Sequence, residues 1–142
     1  MGLVKENRGS IMVEFAFGGI FFIGFVLGMI VIGIWIYNAS QVSQAARIAA
    51  HNVAVTNNPA ESQNMALKYL NNTLIACPVK GAAAYSTTEN GCGVAEAYMS
   101  PLFPGFHKLL DPRGKSTTDG RIHIRKEASR VLEYRFRPGS RQ

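Results

Sequence analysis

The sequence lacks the residue patterns from which catalytic and metal sites are usually built. It contains no glycine-rich phosphate loop and no nucleophile motif. Its three histidines, His51, His107 and His123, are scattered and do not have the spacing of metal ligands. We therefore expect no enzymatic activity, no catalytic residue, no cofactor and no metal.

Charged residues are absent from one long stretch. None occurs from Phe15 to Tyr37, which is 23 consecutive positions. As a helix this stretch would be about 34 Å long, enough to cross a hydrocarbon core of about 30 Å. A secretory signal peptide has a shorter apolar core, of about 7–15 residues, and then a small-residue cleavage site. We predict a retained transmembrane helix over residues 10–37.

Basic residues are unevenly distributed around this apolar stretch. Lys5 and Arg8 precede it, and no Lys or Arg follows it until Arg47. Positively charged flanks stay on the cytoplasmic side of a membrane, whereas acidic residues count little. The pattern predicts a single-pass protein with a cytoplasmic N-terminus (residues 1–9) and an exported C-terminal part.

The helix is predicted to continue beyond the membrane as an amphipathic extension over residues 38–56. Its apolar positions repeat every three or four residues, which is the periodicity of one helix face. These positions are Val42, Ala45, Ala46, Ala49 and Val53. We predict a single helix from Ser10 to about Thr56, covered on one face by the exported domain.

A second helix is predicted to begin directly after the first. Asn58 is a suitable N-cap, Pro59 suits the first helical position, and Glu61 follows the cap by three residues. We predict that this helix extends to Ala76. Its apolar face would be formed by Leu67, Leu70 and Leu74.

The remaining residues predict a small antiparallel sheet. Residues 80–120 are rich in Gly, Pro and Asn, which indicates loops, with one short helical turn around Val94–Met99. Two strands are predicted from alternating apolar residues. The first contains Ile122 and Ile124, and the second contains Leu132, Tyr134 and Phe136. The predicted fold class is therefore α+β, with residues 57–142 as one small exported domain.

Only two cysteines are present, Cys77 and Cys92. Their spacing matches neither a CxxC motif nor a zinc site. Because exported proteins encounter an oxidising environment, we predict an intramolecular disulfide between them. Closing a loop of about 15 residues would stabilise the domain by about 3 kcal/mol.

The C-terminal part is strongly basic. Residues 107–142 contain ten Lys or Arg and four Asp or Glu, a net charge of +6. Such a segment either binds an acidic partner or is a solvated face that aids solubility. Nucleic acid is not the expected partner, because no aromatic interleaving or nucleic-acid motif accompanies the charge. The candidate basic surface comprises Arg121, Arg125, Lys126, Arg130, Arg135 and Arg137.

The apolar stretch contains a small-residue pattern. Gly24 and Gly28 form a GxxxG pair, which permits close contact between membrane helices. We predict that these two glycines contribute to helix packing.

The most informative residues surround the start of the apolar stretch. Arg8-Gly9-Ser10-Ile11-Met12-Val13-Glu14-Phe15 resembles a type IV prepilin processing site, with a short basic leader, a Gly and then a hydrophobic helix. The resemblance implies cleavage between Gly9 and Ser10. Glu14 then becomes the fifth mature residue, followed by Phe15. A carboxylate so near the membrane is costly without a partner. In the pilin family it is thought to pair with the freed N-terminal amine of a neighbouring subunit.

More narrowly, this start and the Ala/Gln-rich extension SQVSQAARIAAHNVAV resemble the TadE-like family of minor pilins and pseudopilins. That family belongs to the tight-adherence (Flp) pilus machinery. The resemblance implies a structural and assembly role in pilus biogenesis and adhesion. The implied partners are other pilin or pseudopilin subunits, a prepilin peptidase and the inner-membrane assembly platform.

The implied location is the bacterial inner membrane, with the C-terminal domain in the periplasm and, after assembly, in an extracellular pilus. Ser10 stands where other pilins have the methylated Phe. A second hypothesis stays open on the same residues. It is an uncleaved membrane anchor that presents a basic periplasmic domain to an acidic partner.

Overall fold

The computed structural model describes residues 7–100 and 120–133. These residues form two helices and a three-stranded antiparallel sheet, so the predicted α+β class with one long apolar helix is confirmed. The chain divides into two compact units, Met1–Ile34 and Trp35–Gln142. The first unit contains the apolar half of the long helix. The second contains the rest of that helix, the second helix and the sheet.

Helix α1 comprises Asn7–Thr56, so the single helix predicted from Ser10 to about Thr56 is confirmed. No proline occurs within these 50 residues, and every interior N–H can therefore donate to a carbonyl one turn earlier. The helix ends where Asn57 adopts the left-handed conformation, with φ of 53°. Asn tolerates this conformation better than most residues and is a common helix terminator.

The second half of α1 supplies much of the core of the Trp35–Gln142 unit. All five apolar positions predicted from periodicity are at most 1% exposed. Ala50 and Ala54 are buried as well, which widens the apolar face. Because most of these residues are alanines, the face is nearly flat, and other backbone can approach it closely.

Helix α2 comprises Pro59–Thr73, and its predicted start is confirmed. The Asn58 side chain accepts a hydrogen bond from the Glu61 backbone N–H at 3.3 Å, and Pro59 occupies the first helical position. The buried stripe is formed by Ser62, Ala66 and Leu70. Of the three leucines predicted to form the apolar face, Leu70 is buried, whereas Leu67 and Leu74 are half-buried.

The predicted end of α2 at Ala76 is wrong, since the helix stops at Thr73. The reason lies on α1, where the side chain of Asn38 is completely buried. Its amide donates to the Ile75 carbonyl at 2.8 Å, and its oxygen accepts from the Ile75 N–H at 3.1 Å. These two bonds satisfy backbone groups that a longer helix would have used itself. Ala76 then takes the left-handed conformation, with φ of 55°.

The sheet contains β1 (Val79–Ser86), β2 (Asn90–Met99) and β3 (Ile122–Val131), in that order. Within residues 80–100, the prediction of loops with a helical turn around Val94–Met99 is therefore wrong. The rest of the predicted loop region, residues 101–119, lies outside the described residues. Strand β2 pairs with both neighbours in antiparallel register. Its residues alternate between a buried face and a partly exposed face, as expected for a strand packed on one side.

The glycines that indicated turns in the sequence have a packing role in β2. A Cβ at Gly93 would lie 2.3 Å from the Ala46 carbonyl oxygen and 2.5 Å from the Ala50 nitrogen. A Cβ at Gly91 would lie 2.8 Å from the Ala54 nitrogen. Only glycine leaves room for the strand to lie directly on the α1 backbone.

The first of the two predicted C-terminal strands is longer than expected and pairs with a strand that was not predicted. Ile122 and Ile124 do belong to a strand and are buried, but β3 continues to Val131 and pairs with β2. Leu132 is buried just beyond the strand, and its N–H donates to the Glu89 carbonyl at 3.0 Å. The other residues of the predicted second strand, Tyr134 and Phe136, lie outside the described residues.

Candidate assembly site

The Met1–Ile34 unit presents an apolar helix surface to its surroundings. Phe15 is 83% exposed, and Met12 and Phe21 are each 76% exposed. Large side chains of this kind are exposed on every side of the segment, as the values for Ile20, Phe22 and Phe25 also show. A helix that is apolar all round requires lipid or other helices around it. In the described part of the chain, one helix is long and apolar enough to cross a membrane, and it contains this segment.

Glu14 is the one acidic residue among residues 7–34. It lies three turns of helix before the midpoint of the apolar stretch, and its side chain is exposed. Within the described residues, no hydrogen bond or ion pair joins its carboxylate to another group. The carboxylate is therefore accessible to a cation supplied from outside the chain.

A shallow groove adjoins Glu14 on the helix surface. The two glycines one turn after Glu14 have no side chain, so they leave a notch between large apolar side chains. The groove is lined by Ile11, Glu14, Phe15, Gly18, Gly19 and Phe22. A Cβ added at either glycine would meet no atom within 4 Å, so nothing in the described chain fills the notch. The arrangement places a carboxylate at the rim of an apolar surface that another helix could contact.

The other predicted residues of the N-terminal segment lie on the same helix. Gly9 and Ser10 are exposed, and both are helical in the structure. Gly24 is exposed, and an added Cβ there would contact nothing within 4 Å, whereas Gly28 is half-buried. The cleavage between Gly9 and Ser10 and the packing role of Gly24 and Gly28 stay predictions.

Strand alternation separates the predicted basic residues. Lys126 and Arg130 share the strand face of the buried Ile122 and Ile124, whereas Arg125 lies on the opposite face. Arg121 directly precedes the strand and is half-buried. Arg135 and Arg137 lie outside the described residues. The candidate residues that can be placed therefore do not form one continuous surface.

The predicted disulfide is not formed in the structure, where Cys77 and Cys92 are both free. The Ser100 N–H donates to the Ala76 carbonyl at 3.1 Å, which places Cys77 beside the end of β2. Cys92 lies near the other end of β2, eight residues before Ser100. At 3.3 Å per residue, this separation is about 26 Å along the strand. A disulfide requires Cα atoms within about 7 Å. Strands β1 and β2, which were not predicted from the sequence, keep the two thiols apart.

We expect both thiols to react with a chromogenic disulfide reagent in the folded protein, at different rates. Burial raises the pKa of the Cys77 thiol, an effect that nearby Lys80 partly opposes. Since the thiolate is the nucleophile, Cys77 should react more slowly than the half-buried Cys92. A Cys92→Ser variant should keep only the slow phase, and Cys77→Ser only the fast one. Native protein without any titratable thiol would contradict this arrangement of the sheet.

Two side-chain clusters of the second unit were not predicted from the sequence. On the open face of the sheet, His123 stacks on Tyr98 with ring centroids 4.5 Å apart and contacts Glu96 at 3.3 Å. On the other side, the Arg130 guanidinium donates to His51 Nδ1 at 3.1 Å. Both clusters join residues far apart in sequence, so no local pattern could have revealed them. Among residues 7–100 and 120–133, no three His, Cys, Asp or Glu side chains converge as a metal site would require.

Comparison with known proteins found a similarity in the N-terminal segment. The family model described as TadE-like protein matches residues 9–51, which confirms the resemblance inferred from the sequence. The match covers the apolar helix and most of the α1 extension, and it begins at the predicted cleavage site. The match supports a likeness of this segment to pilin-like proteins of the tight-adherence pilus. No curated protein and no solved structure matches the chain.

Proposed function

We propose that this chain is a minor pilin or pseudopilin of a tight-adherence type IV pilus. In this proposal a prepilin peptidase cleaves it between Gly9 and Ser10. The apolar half of α1 holds it in the inner membrane, and its C-terminal domain lies in the periplasm. The subunit then leaves the membrane with the help of the assembly platform and joins other subunits in the pilus. It has a structural role and catalyses no reaction.

The observation that carries this proposal is the position of Glu14 in the exposed, apolar half of α1. Cleavage after Gly9 makes Glu14 the fifth residue, one turn from the new N-terminal amine of Ser10. A carboxylate within an apolar environment is costly unless it is paired. The groove beside Glu14 and its two glycines provide a contact surface for a neighbouring helix. These features support a subunit interface in which Glu14 pairs with the Ser10 amine of another copy.

The test of this proposal is N-terminal sequencing of the mature protein from the native host. We expect the mature chain to begin at Ser10. A Gly9→Leu variant should stay full-length, since a large side chain does not fit a peptidase site shaped for glycine. A Gly33→Leu variant is the matched control, because it makes the same change on the same helix far from the cleavage site. An uncleaved wild-type chain would instead favour a membrane-anchored periplasmic binding domain.

A further inference from the structure

The alternation of β3 divides its charged residues unequally between the two faces of the sheet. The face that includes the buried Ile122 and Ile124 has two charged residues farther along the strand. These are Lys126 and Arg130, and both are cations. The opposite face is mixed, because Arg125 lies there beside Glu127. Glu127 also accepts a hydrogen bond from the Tyr85 hydroxyl at 3.0 Å. The positive charge of β3 is therefore concentrated on the side that faces α1.

Helix α1 adds to this positive side. The Arg130 guanidinium donates to His51 Nδ1 at 3.1 Å, which joins the end of β3 to α1. Arg47 precedes His51 by four residues and so lies one turn away on the same side of the helix. All four side chains are exposed. We name the surface formed by Arg47, His51, Lys126 and Arg130 the basic flank.

Little negative charge opposes the basic flank. Residues 35–56 of α1 contain no Asp or Glu. Among residues 7–100 and 120–133, no ion pair holds Arg47 or Lys126. Arg130 and Glu133 are 4.0 Å apart with more than half of each side chain exposed, and such contacts are weak. The flank therefore keeps a net positive charge that a bound anion would neutralise.

We propose that the basic flank binds a linear anionic polysaccharide. Arg47, Lys126 and Arg130 would contact its anionic groups, and the hydrogen bond to His51 would position Arg130. Lys126 and Arg130 are about 13 Å apart along the strand, so the charges are spread along a strip that suits an extended polyanion. An acidic protein fits less well, because protein interfaces depend on buried aromatic or apolar anchors. None of the four residues is apolar, and none is a Phe, Tyr or Trp, whose large rings form the main stacking surfaces for single-stranded nucleic acid.

The position of the flank disfavours lipid head groups. Arg47 follows Tyr37 by ten residues, which is about 15 Å along the helix. The head-group layer on each side of a bilayer is only about 5–8 Å thick. This step rests on the proposed function, in which the apolar stretch spans the membrane and the second unit is exported. The basic flank then lies beyond the membrane surface, where extracellular or periplasmic polysaccharide is accessible.

The test measures binding of the full-length protein in detergent micelles to immobilised polygalacturonate over a range of NaCl concentrations. We expect Lys126→Gln to weaken binding about two- to fivefold, and Arg47→Gln with Lys126→Gln to weaken it about tenfold or more. Arg125→Gln is the matched control. It removes the same charge at the adjacent position of the same strand, on the opposite face, and should change binding less than twofold.

Three results would overturn the proposal. Equal losses in Arg125→Gln and Lys126→Gln would show attraction by net charge alone. Tighter binding to anionic-lipid vesicles than to polygalacturonate would assign the flank to the membrane, and tighter binding to duplex DNA would assign it to nucleic acid. The assay uses purified unprocessed chain and therefore does not depend on cleavage after Gly9. Failure of the pilin proposal is detected separately by N-terminal sequencing.

Discussion

A Gly93→Ala substitution is expected to lower the free energy of unfolding of the Trp35–Gln142 unit by about 3 kcal/mol or more. The added methyl group would lie 2.3 Å from the Ala46 carbonyl oxygen and 2.7 Å from the Ala49 Cβ. Two of its three nearest atoms belong to helix backbone, which cannot rotate away as a flexible side chain can. Strand β2 must then move off α1, and overpacking of a core costs about 1–3 kcal/mol or more. Urea denaturation of the full-length protein, followed by circular dichroism, measures the change.

Gly81→Ala is the matched control for this experiment. It makes the same substitution in the neighbouring strand, and its added Cβ would lie 2.9 Å from Glu96 Cγ. Since Glu96 is a flexible and partly exposed side chain, it can change rotamer, and the cost should stay below about 1 kcal/mol. Similar stabilities for Gly93→Ala and Gly81→Ala would show that β2 does not lie directly on the helix backbone.

A Glu14→Gln substitution is expected to leave membrane insertion intact and to reduce incorporation into pili about a hundredfold. Glutamine has nearly the shape of glutamate but no charge, and removing a charge from the apolar segment does not hinder insertion. In the proposed pilus, the Ser10 amine would then lack its partner in an apolar environment, which costs several kcal/mol. A loss of only about 2.8 kcal/mol corresponds to a hundredfold change in an assembly equilibrium.

Fractionation of cells expressing the variant, with immunoblots of membranes and sheared pili, measures both outcomes. Glu89→Gln is the control, because it removes an exposed acid of the second unit by the same chemical change. It should insert and assemble as the wild type does. Normal pilus incorporation of Glu14→Gln would contradict the assembly role of this carboxylate. A loss of the variant from the membrane fraction would contradict the expected neutral effect on insertion.

The helices and the pilin-like segment could be predicted because their signals are local. A charge-free stretch, a three- and four-residue apolar repeat and the cap at Asn58 with Pro59 act within one or two turns of chain. The Gly9–Glu14 register is also a short contiguous pattern, and the TadE-like match over residues 9–51 covers the same segment. Such features depend on backbone propensity and local hydrogen bonds, so they can be recognised without knowledge of the tertiary structure.

The strands β1 and β2 could not be predicted, because what stabilises them is distant in sequence. Gly91 and Gly93 have low strand propensity and indicate turns when read alone. They become strand residues because the alanine face of α1 offers a flat surface that only glycine can approach so closely. Similarly, α2 ends before Ala76 because the side chain of Asn38 forms hydrogen bonds with the backbone of Ile75. Asn38 precedes Ile75 by 37 residues.

The sequence alone determined the apolar anchor, the position of Glu14 within it and the total of positive charge in the C-terminal part. Only the tertiary structure decided which of those charges act together. Arg125 and Lys126 are neighbours in the chain, yet the pleat of β3 places them on opposite faces, and Lys126 faces the side of α1. The same sheet separates Cys77 from Cys92, which the sequence had paired. Side-chain direction in a strand follows from its register with β2, and that register is set by packing against a helix many residues away.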